Sequence, residues 1–218
     1  RELSRLEHGQ RLECKKDIDA LIEYAQEFYP GVPIVMYGHS MGGNITLDYR
    51  ARGGHNDVPA GYIISAPWIR LVRPVSGGLL KAVKLLTKIA PNFKIKSEFP
   101  EEKLGNVEYV RPYKKDPMVH PYATALCAYE GFTIGTALEK GTNEDNGGAK
   151  HTPCLLMHGT KDLICDIQGS REFAKLQEPE SFTMIEWPGY YHEIHNGGPN
   201  GESGDAVIQR AIAFIESL

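Results

Sequence analysis

Ile34-Val35-Met36-Tyr37-Gly38-His39-Ser40-Met41-Gly42-Gly43 is the stretch from which the rest of this chain can be read. Its first four residues form an apolar run too short for a helix and suited to a strand buried on both faces. The run enters Gly38-x-Ser40-x-Gly42 directly, and a helical pattern follows over residues 44–52. Strand, sharp turn and helix together form the context of a nucleophile elbow, which exposes a serine hydroxyl. Glycine is expected at both Gly38 and Gly42 because a Cβ at either place would strike the neighbouring strand or helix. Ser40 is then lifted out of the sheet, and the Met41 N–H points to where an oxyanion would form.

Upstream of the elbow, Ile18, Leu21, Ile22, Ala25 and Phe28 recur at helical spacing over residues 13–28, with Lys15, Lys16, Glu23 and Glu27 on the other face. Pro30-Gly31 ends this helix. Residues 1–12 are polar and have no clear period. Downstream, the elbow helix stops at Gly53-Gly54, and further apolar strands are expected at 60–65, 153–159 and 182–187. Helices are expected near 168–176 and 205–218. Ser203 is the candidate N-cap of the last one, and Val207, Ile208, Ala211, Ile212 and Ile215 are its apolar stripe. Helices alternating with apolar strands imply an α/β fold built on a mostly parallel sheet.

The alternation breaks between Ile69 and Lys150, where one amphipathic helix (79–90) stands among loops and no alternating strand is expected. Residues 70–96 hold seven basic residues and no acidic one, in a chain whose net charge is -4. This reading gives a core over 1–68, a cap or lid insertion over 69–150, and the core again over 151–218. Residues 143–148, polar and Gly-rich, serve as the return linker. The insertion's helix carries the stripe Leu79, Leu80, Val83, Leu86 and Ala90 beside Lys81, Lys84 and Lys88. That layout suits an interfacial helix on anionic lipid, a peripheral membrane contact through the cap. It equally suits a cap helix packed on the core, and both readings stay open.

Composition narrows the classes further. A chain of 218 residues, 41% hydrophobic, can bury a sizeable core. Its net charge gives no reason to expect a nucleic-acid partner. Cys14, Cys127, Cys154 and Cys165 show neither metal-ligand spacing nor a paired framework, and read as reduced thiols of a cytoplasmic protein. No stretch approaches the ~18 apolar residues of a membrane span.

A serine hydroxyl is a weak nucleophile until a base takes its proton and a third group orients that base. Ser40, Asp162 and His192 each follow an apolar strand, in the chain order serine, acid, histidine. A parallel sheet brings such strand ends to one edge. Asp166 is the rival acid and His195 the rival base. The chemistry calls for neither a metal nor an organic cofactor.

Gly38-His39-Ser40-Met41-Gly42-Gly43, Gly159-Thr160-Lys161-Asp162-Leu163-Ile164-Cys165-Asp166 and Gly189-Tyr190-Tyr191-His192-Glu193-Ile194-His195 resemble the three catalytic blocks of the monoacylglycerol lipase and lysophospholipase family of α/β-hydrolases. Asp116-Pro117-Met118-Val119 resembles the Asp-Pro-Leu of that family's cap. The resemblance implies a serine hydrolase that cleaves a lipid-like ester through an acyl-enzyme. Ser40, Asp162 and His192 would be nucleophile, acid and base, and Met41 would supply an oxyanion N–H. His39, Cys165 and His195 would lie beside the substrate, His195 near the glycerol end, and residues around 69–147 would form the cap. A carboxylesterase or peptidase on the same fold, or a non-catalytic binding relative, remains an alternative. The family fold also implies four earlier strands with a His-Gly motif for a second oxyanion donor. His8-Gly9 has no strand before it, so the expectation is that these residues are the C-terminal part of a longer chain whose sheet would otherwise have an open edge.

Overall fold

The computed structural model describes residues 10–96, 101–105, 117, 118, 120–198 and 200–218. In chain order the core opens with α1 (Gln10–Phe28), β1 (Val35–His39), α2 (Met41–Arg52) and β2 (Gly61–Ser65). Next come α3 (Gly77–Ile89), β3 (Lys94–Lys96), β4 (Tyr122–Thr124) and α4 (Ala125–Lys140). The chain closes with β5 (Cys154–Gly159), α5 (Ile167–Ala174), β6 (Phe182–Trp187) and α6 (Asp205–Glu216). Among the described residues the main sheet is parallel and four-stranded, in the order β1-β2-β5-β6.

The two central strands are buried along their whole length. Their period of two separates the core into two faces. Tyr62, Ile64 and Leu156 pack with Ile22 of α1, Leu47 and Tyr49 of α2, Ile134 and Leu138 of α4, and Phe173 of α5. Ile63, Leu155 and Met157 pack on the other side with Val207 and Phe214 of α6. Each fully buried side chain of this size stabilises the fold by about 1.5–3 kcal/mol.

Three local expectations need correction. Of the stripe on α1, only Ile22 is buried, while Leu21 and Phe28 are 67% and 56% exposed. On α6, Val207 and Phe214 face the sheet, and Ile208, Ile212 and Ile215 point outward. The helix is capped by Gly204, with Ser203 Oγ accepting from the Asp205 N–H at 3.0 Å.

The stretch 69–150 holds more structure than its composition suggests. β3 and β4 form a short antiparallel pair, and α4 is a 16-residue helix that packs on α2 and α5. Gly131 and Gly135 explain the packing. A Cβ on Gly131 would lie 2.8 Å from the Trp68 ring, and one on Gly135 would lie 2.3 Å from the Ile69 carbonyl oxygen. One turn apart, they form the flat stripe on which the segment after β2 rests. α3 packs on α4 with Leu80, Val83 and Leu86 half-buried, and Leu79, Leu85 and Ile89 face outward. Arg70, the first of the seven basic residues of 70–96, pairs with Glu139 and Asp166.

Candidate active site

β1, β5 and β6 point their C-terminal ends at one edge of the sheet, and the loops that follow them meet there. Ser40 is the residue between β1 and α2, with φ 55° and ψ -117°. This left-handed conformation costs a serine of order 1–3 kcal/mol. It is over-determined by its surroundings: the Ser40 N–H donates to the Ser65 carbonyl, and the Ser40 carbonyl accepts from Asn44 and Trp68. Gly38 is required, because a Cβ there would lie 2.4 Å from Thr46 Oγ1. Gly42 does not carry the same constraint. A Cβ at Gly42 meets nothing within 4 Å among the described residues, whereas one at Gly43 would meet Pro67 at 3.0 Å. The close approach of the elbow thus falls one residue later than expected.

The Ser40 hydroxyl donates to His192 Nε2 at 2.9 Å, and His192 Nδ1–H donates to Asp162 Oδ2 at 2.7 Å. Asp162 Oδ1 accepts from the N–H groups of Ile164 and Cys165 at 2.8 and 2.9 Å. Burial pushes the Asp162 carboxyl up, but the hydrogen bonds from His158 and His192 outweigh it and hold the group well below the carboxylate range. An anionic acid, an imidazole with its free lone pair aimed at Ser40, and a strained serine form a proton-transfer chain. The rivals stand outside it. Asp166 caps α5 through the Gln168 N–H at 2.9 Å and pairs with Arg70. His195 places its ring edge against His39 at 5.1 Å, with its Nδ1 buried and unpartnered among the described residues.

Met41 is the first residue of α2, so its N–H has no carbonyl one turn back and is available to an anion at the helix N-terminus. Its side chain is exposed and lines an apolar cleft with Asn44, Ile45, Cys127, Gly131 and Ile134. His39 lies 4.8 Å from the His192 ring and donates to or accepts from Ser65 Oγ at 3.1 Å. Burial, and then the neighbouring His192 and His195, lower its pKa to about 3. Cys165 is 1% exposed beneath Ser40, and burial together with the Asp162 charge pushes its thiol well up. Among the described residues, the candidate metal-ligand group is Asp162, Cys165 and His192, whose ligand atoms lie within 4.8 Å of one another. The carboxylate and imidazole are already engaged with each other and the thiol keeps its proton, so the group fits a proton-transfer chain better than an ion. None of the four cysteines forms a disulfide.

The acid and histidine loops are bolted together. Lys161 N–H donates to the Tyr190 carbonyl at 3.0 Å, and Gly189 N–H to Thr160 Oγ1 at 2.9 Å. A Cβ on Gly159 would lie 2.3 Å from the Tyr191 carbonyl oxygen. One member of the site escaped the reading of the sequence. His158, fully buried on β5, reaches Asp162 Oδ2 with Nε2 at 3.1 Å. Of the stretch 116–119, expected to belong to a cap, Pro117 and Met118 are exposed, while Asp116 and Val119 lie outside the described residues, as do His8 and Gly9.

A parallel sheet with helices on both faces, and a serine, a histidine and an aspartate meeting at its strand ends, define an α/β-hydrolase. Residues 8–198 match the family described as serine aminopeptidase, S33, and the chain belongs to that family. It is 30% identical over 188 residues to the monoacylglycerol lipase of Mycolicibacterium smegmatis, covering 84% of this chain and 64% of that one. The chain thus spans less than two thirds of that relative's length. The crystal structure of Paleococcus ferrophilus monoacylglycerol lipase superposes with a TM-score of 0.80 at 25% identity, over 98% of this chain and 78% of that one. A soluble variant of the Saccharomyces cerevisiae monoglyceride lipase, in complex with a substrate analog, gives 0.79 at 25% identity over 98% and 70%.

Proposed function

We propose that this protein is a serine hydrolase that cleaves the ester of a monoacylglycerol through an acyl-enzyme. The observation that carries the reading is the unbroken chain Ser40–His192–Asp162 at an elbow whose serine sits at φ 55°. Ser40 Oγ would attack the ester carbonyl while His192 Nε2 takes its proton. The oxyanion would form against the Met41 N–H, and collapse would expel glycerol, which receives the proton from His192. Water, activated by the same imidazole, would then release the fatty acid and restore Ser40. The apolar cleft beside Met41 suits an acyl chain. His39 and His195 lie next to the catalytic imidazole, where polar groups of the alcohol would be bound, and Cys165 lines the site from below.

Reaction with a fluorophosphonate probe, blocked in Ser40→Ala, tests the nucleophile. Release of fatty acid from monoacylglycerol, measured beside lysophospholipid, a short-chain ester and an aminopeptidase substrate, tests the class. The expected order puts monoacylglycerol first. A labelled protein that prefers the peptide substrate would move the assignment to the peptidase alternative, and a protein that neither labels nor turns over would be the non-catalytic relative.

We also propose a peripheral membrane contact through α3. Leu79, Leu85, Ile89 and Phe93 are 55–77% exposed beside the exposed Lys81, Lys84 and Lys88. Among the described residues, no helix is long and apolar enough to cross a membrane. Binding to anionic vesicles should weaken with salt and with the three lysines changed to Gln. Equal binding to neutral vesicles would remove the electrostatic part.

A further inference from the structure

We infer that His158 is a positioning residue for the reaction: it donates to the same Asp162 carboxylate oxygen as His192 and shares its charge. The inference rests on the serine hydrolase reading above. His158 Nε2 stands 3.1 Å from Asp162 Oδ2 and 3.2 Å from the Cys165 carbonyl oxygen. Both neighbours are acceptors, so Nε2 must carry a hydrogen and donate it. On the other side of the ring, Nδ1 is 2.8 Å from the hydroxyl of Ser170, itself fully buried on α5. That contact fixes the ring plane, with the Ser170 hydroxyl donating to Nδ1. The hydrogen-bond chain therefore has five members, Ser170, His158, Asp162, His192 and Ser40, and begins in the helix behind the sheet, while the proton moves only between Ser40 and His192.

The arrangement is specific to the acid. Asp162 has no side-chain exposure, so every lone pair on it must find a donor inside the protein. Two backbone N–H groups serve Oδ1, and two imidazoles serve Oδ2. Were His158 apolar, Oδ2 would answer to His192 alone, and the carboxylate could turn about its Cβ–Cγ bond. Its charge, no longer shared, would act on His192 alone. The other titratable groups facing this cluster are Cys165 in the acid loop, His39 from β1, His195 in the loop after β6 and, beside His158, Glu186 from β6. Cys165 already gives its N–H to Asp162 Oδ1 and its carbonyl to His158, His39 bonds to Ser65, and Glu186 is an acid paired with Arg171, so none of these three replaces the lost donor.

The test compares His158→Leu, His158→Gln and Ser170→Ala with the parent. For His158→Leu, kcat and the rate of fluorophosphonate labelling should fall about tenfold or more, with KM within about twofold. The acid limb of the kcat/KM profile should move up by about half a pH unit or more. His158→Gln keeps an N–H at the end of a side chain of similar reach and should recover most of the rate. Ser170→Ala should show a smaller loss of the same kind, and it reports on the network even if His158→Leu does not fold. Parent-like kcat and pH profile in His158→Leu would overturn the inference. So would equal losses in the Leu and Gln variants that track thermal stability, which is the behaviour of a packing residue. If the parent itself fails to label, the hydrolase reading falls, and this inference with it.

Discussion

Acidification from pH 7 to pH 5 should destabilise this protein through His39. Its ring is enclosed between His192 and His195, at 4.8 and 5.1 Å, and its pKa is lowered to about 3, first by burial and then by those two histidines. An unfolded histidine titrates near 6.5. A folded pKa below the unfolded one gives stability that is complete above pH 6.5 and is lost as pH falls toward 3. At pH 5 the unfolded chain holds almost a full proton at this position and the folded chain almost none. Integration from pH 7 to pH 5 gives a loss of about 2 kcal/mol from this one residue. His195, also lowered by burial, adds a loss of the same sign, while Asp162 contributes only below about pH 4. The His39→Asn variant isolates the effect, since its amide can keep the hydrogen bond to Ser65 Oγ but cannot titrate. Urea unfolding of both proteins at the two pH values should show the parent losing about 2 kcal/mol more than the variant. Equal losses in the two would mean that His39 accepts its proton in the folded state, and the electrostatic account of the histidine cluster would be wrong.

Ser40→Gly should be more stable than Ser40→Ala by about 1 kcal/mol in thermal unfolding, because only glycine is relieved at φ 55°; equal stabilities would show that the turn is unstrained. Gly38→Ala should destabilise severely, since its Cβ meets the Gly42 carbonyl oxygen at 2.6 Å, while Gly42→Ala should unfold close to the parent. The reverse order in a urea titration would refute the packing described for the elbow. His192→Ala should lower kcat by several orders of magnitude, and His195→Ala should mainly raise KM, because only His192 is bonded to both Ser40 and Asp162. Exchange of those two patterns in steady-state kinetics would overturn the assignment of the base.

Much of the main sheet could be read from the chain because its strands follow one rule. Residues 60–65, 153–159 and 182–187 are apolar runs, and their observed strands fall within a residue of those bounds. The helix α4 followed a different rule. Its face toward the core is made of Ala125, Gly131, Ile134, Gly135 and Leu138, so the signal at helical spacing is carried partly by glycines. Glycine weakens a helical pattern, at a cost of about 1 kcal/mol each against Ala. Its reward here is close approach to Trp68 and Ile69, which lie some sixty residues earlier and cannot be seen from the local pattern. The exposed stripes on α1 and α6 show the opposite limit. Around their helices Leu21 lies about 100° from Ile22 and Ile212 about 140° from Val207, and how much of so wide a stripe is buried depends on what packs against it.

The site divides along the same line. Ser40, Asp162 and His192 were legible because each lies in the loop or turn that follows a strand, and a parallel sheet gathers strand ends whatever their distance in sequence. Their supporting groups were not, because support is contact rather than order. His39 is placed beside the substrate by resemblance, but its enclosure by His192 and His195, which come from the far end of the chain, shows only in the fold. His158 was passed over as one letter in a strand, yet its position carried a signal. Five apolar or small neighbours, Cys154, Leu155, Leu156, Met157 and Gly159, commit that strand to burial. An imidazole buried with them must have its nitrogens bonded, or the fold bears the cost of desolvating them, roughly 1–3 kcal/mol each. Residue 158 points to the opposite side of the pleat from Met157, and the loop leaving the strand turns back over it with Asp162 four positions on. On β5 the buried ionisable side chain next to the end of the strand thus meets the acid of the loop that follows.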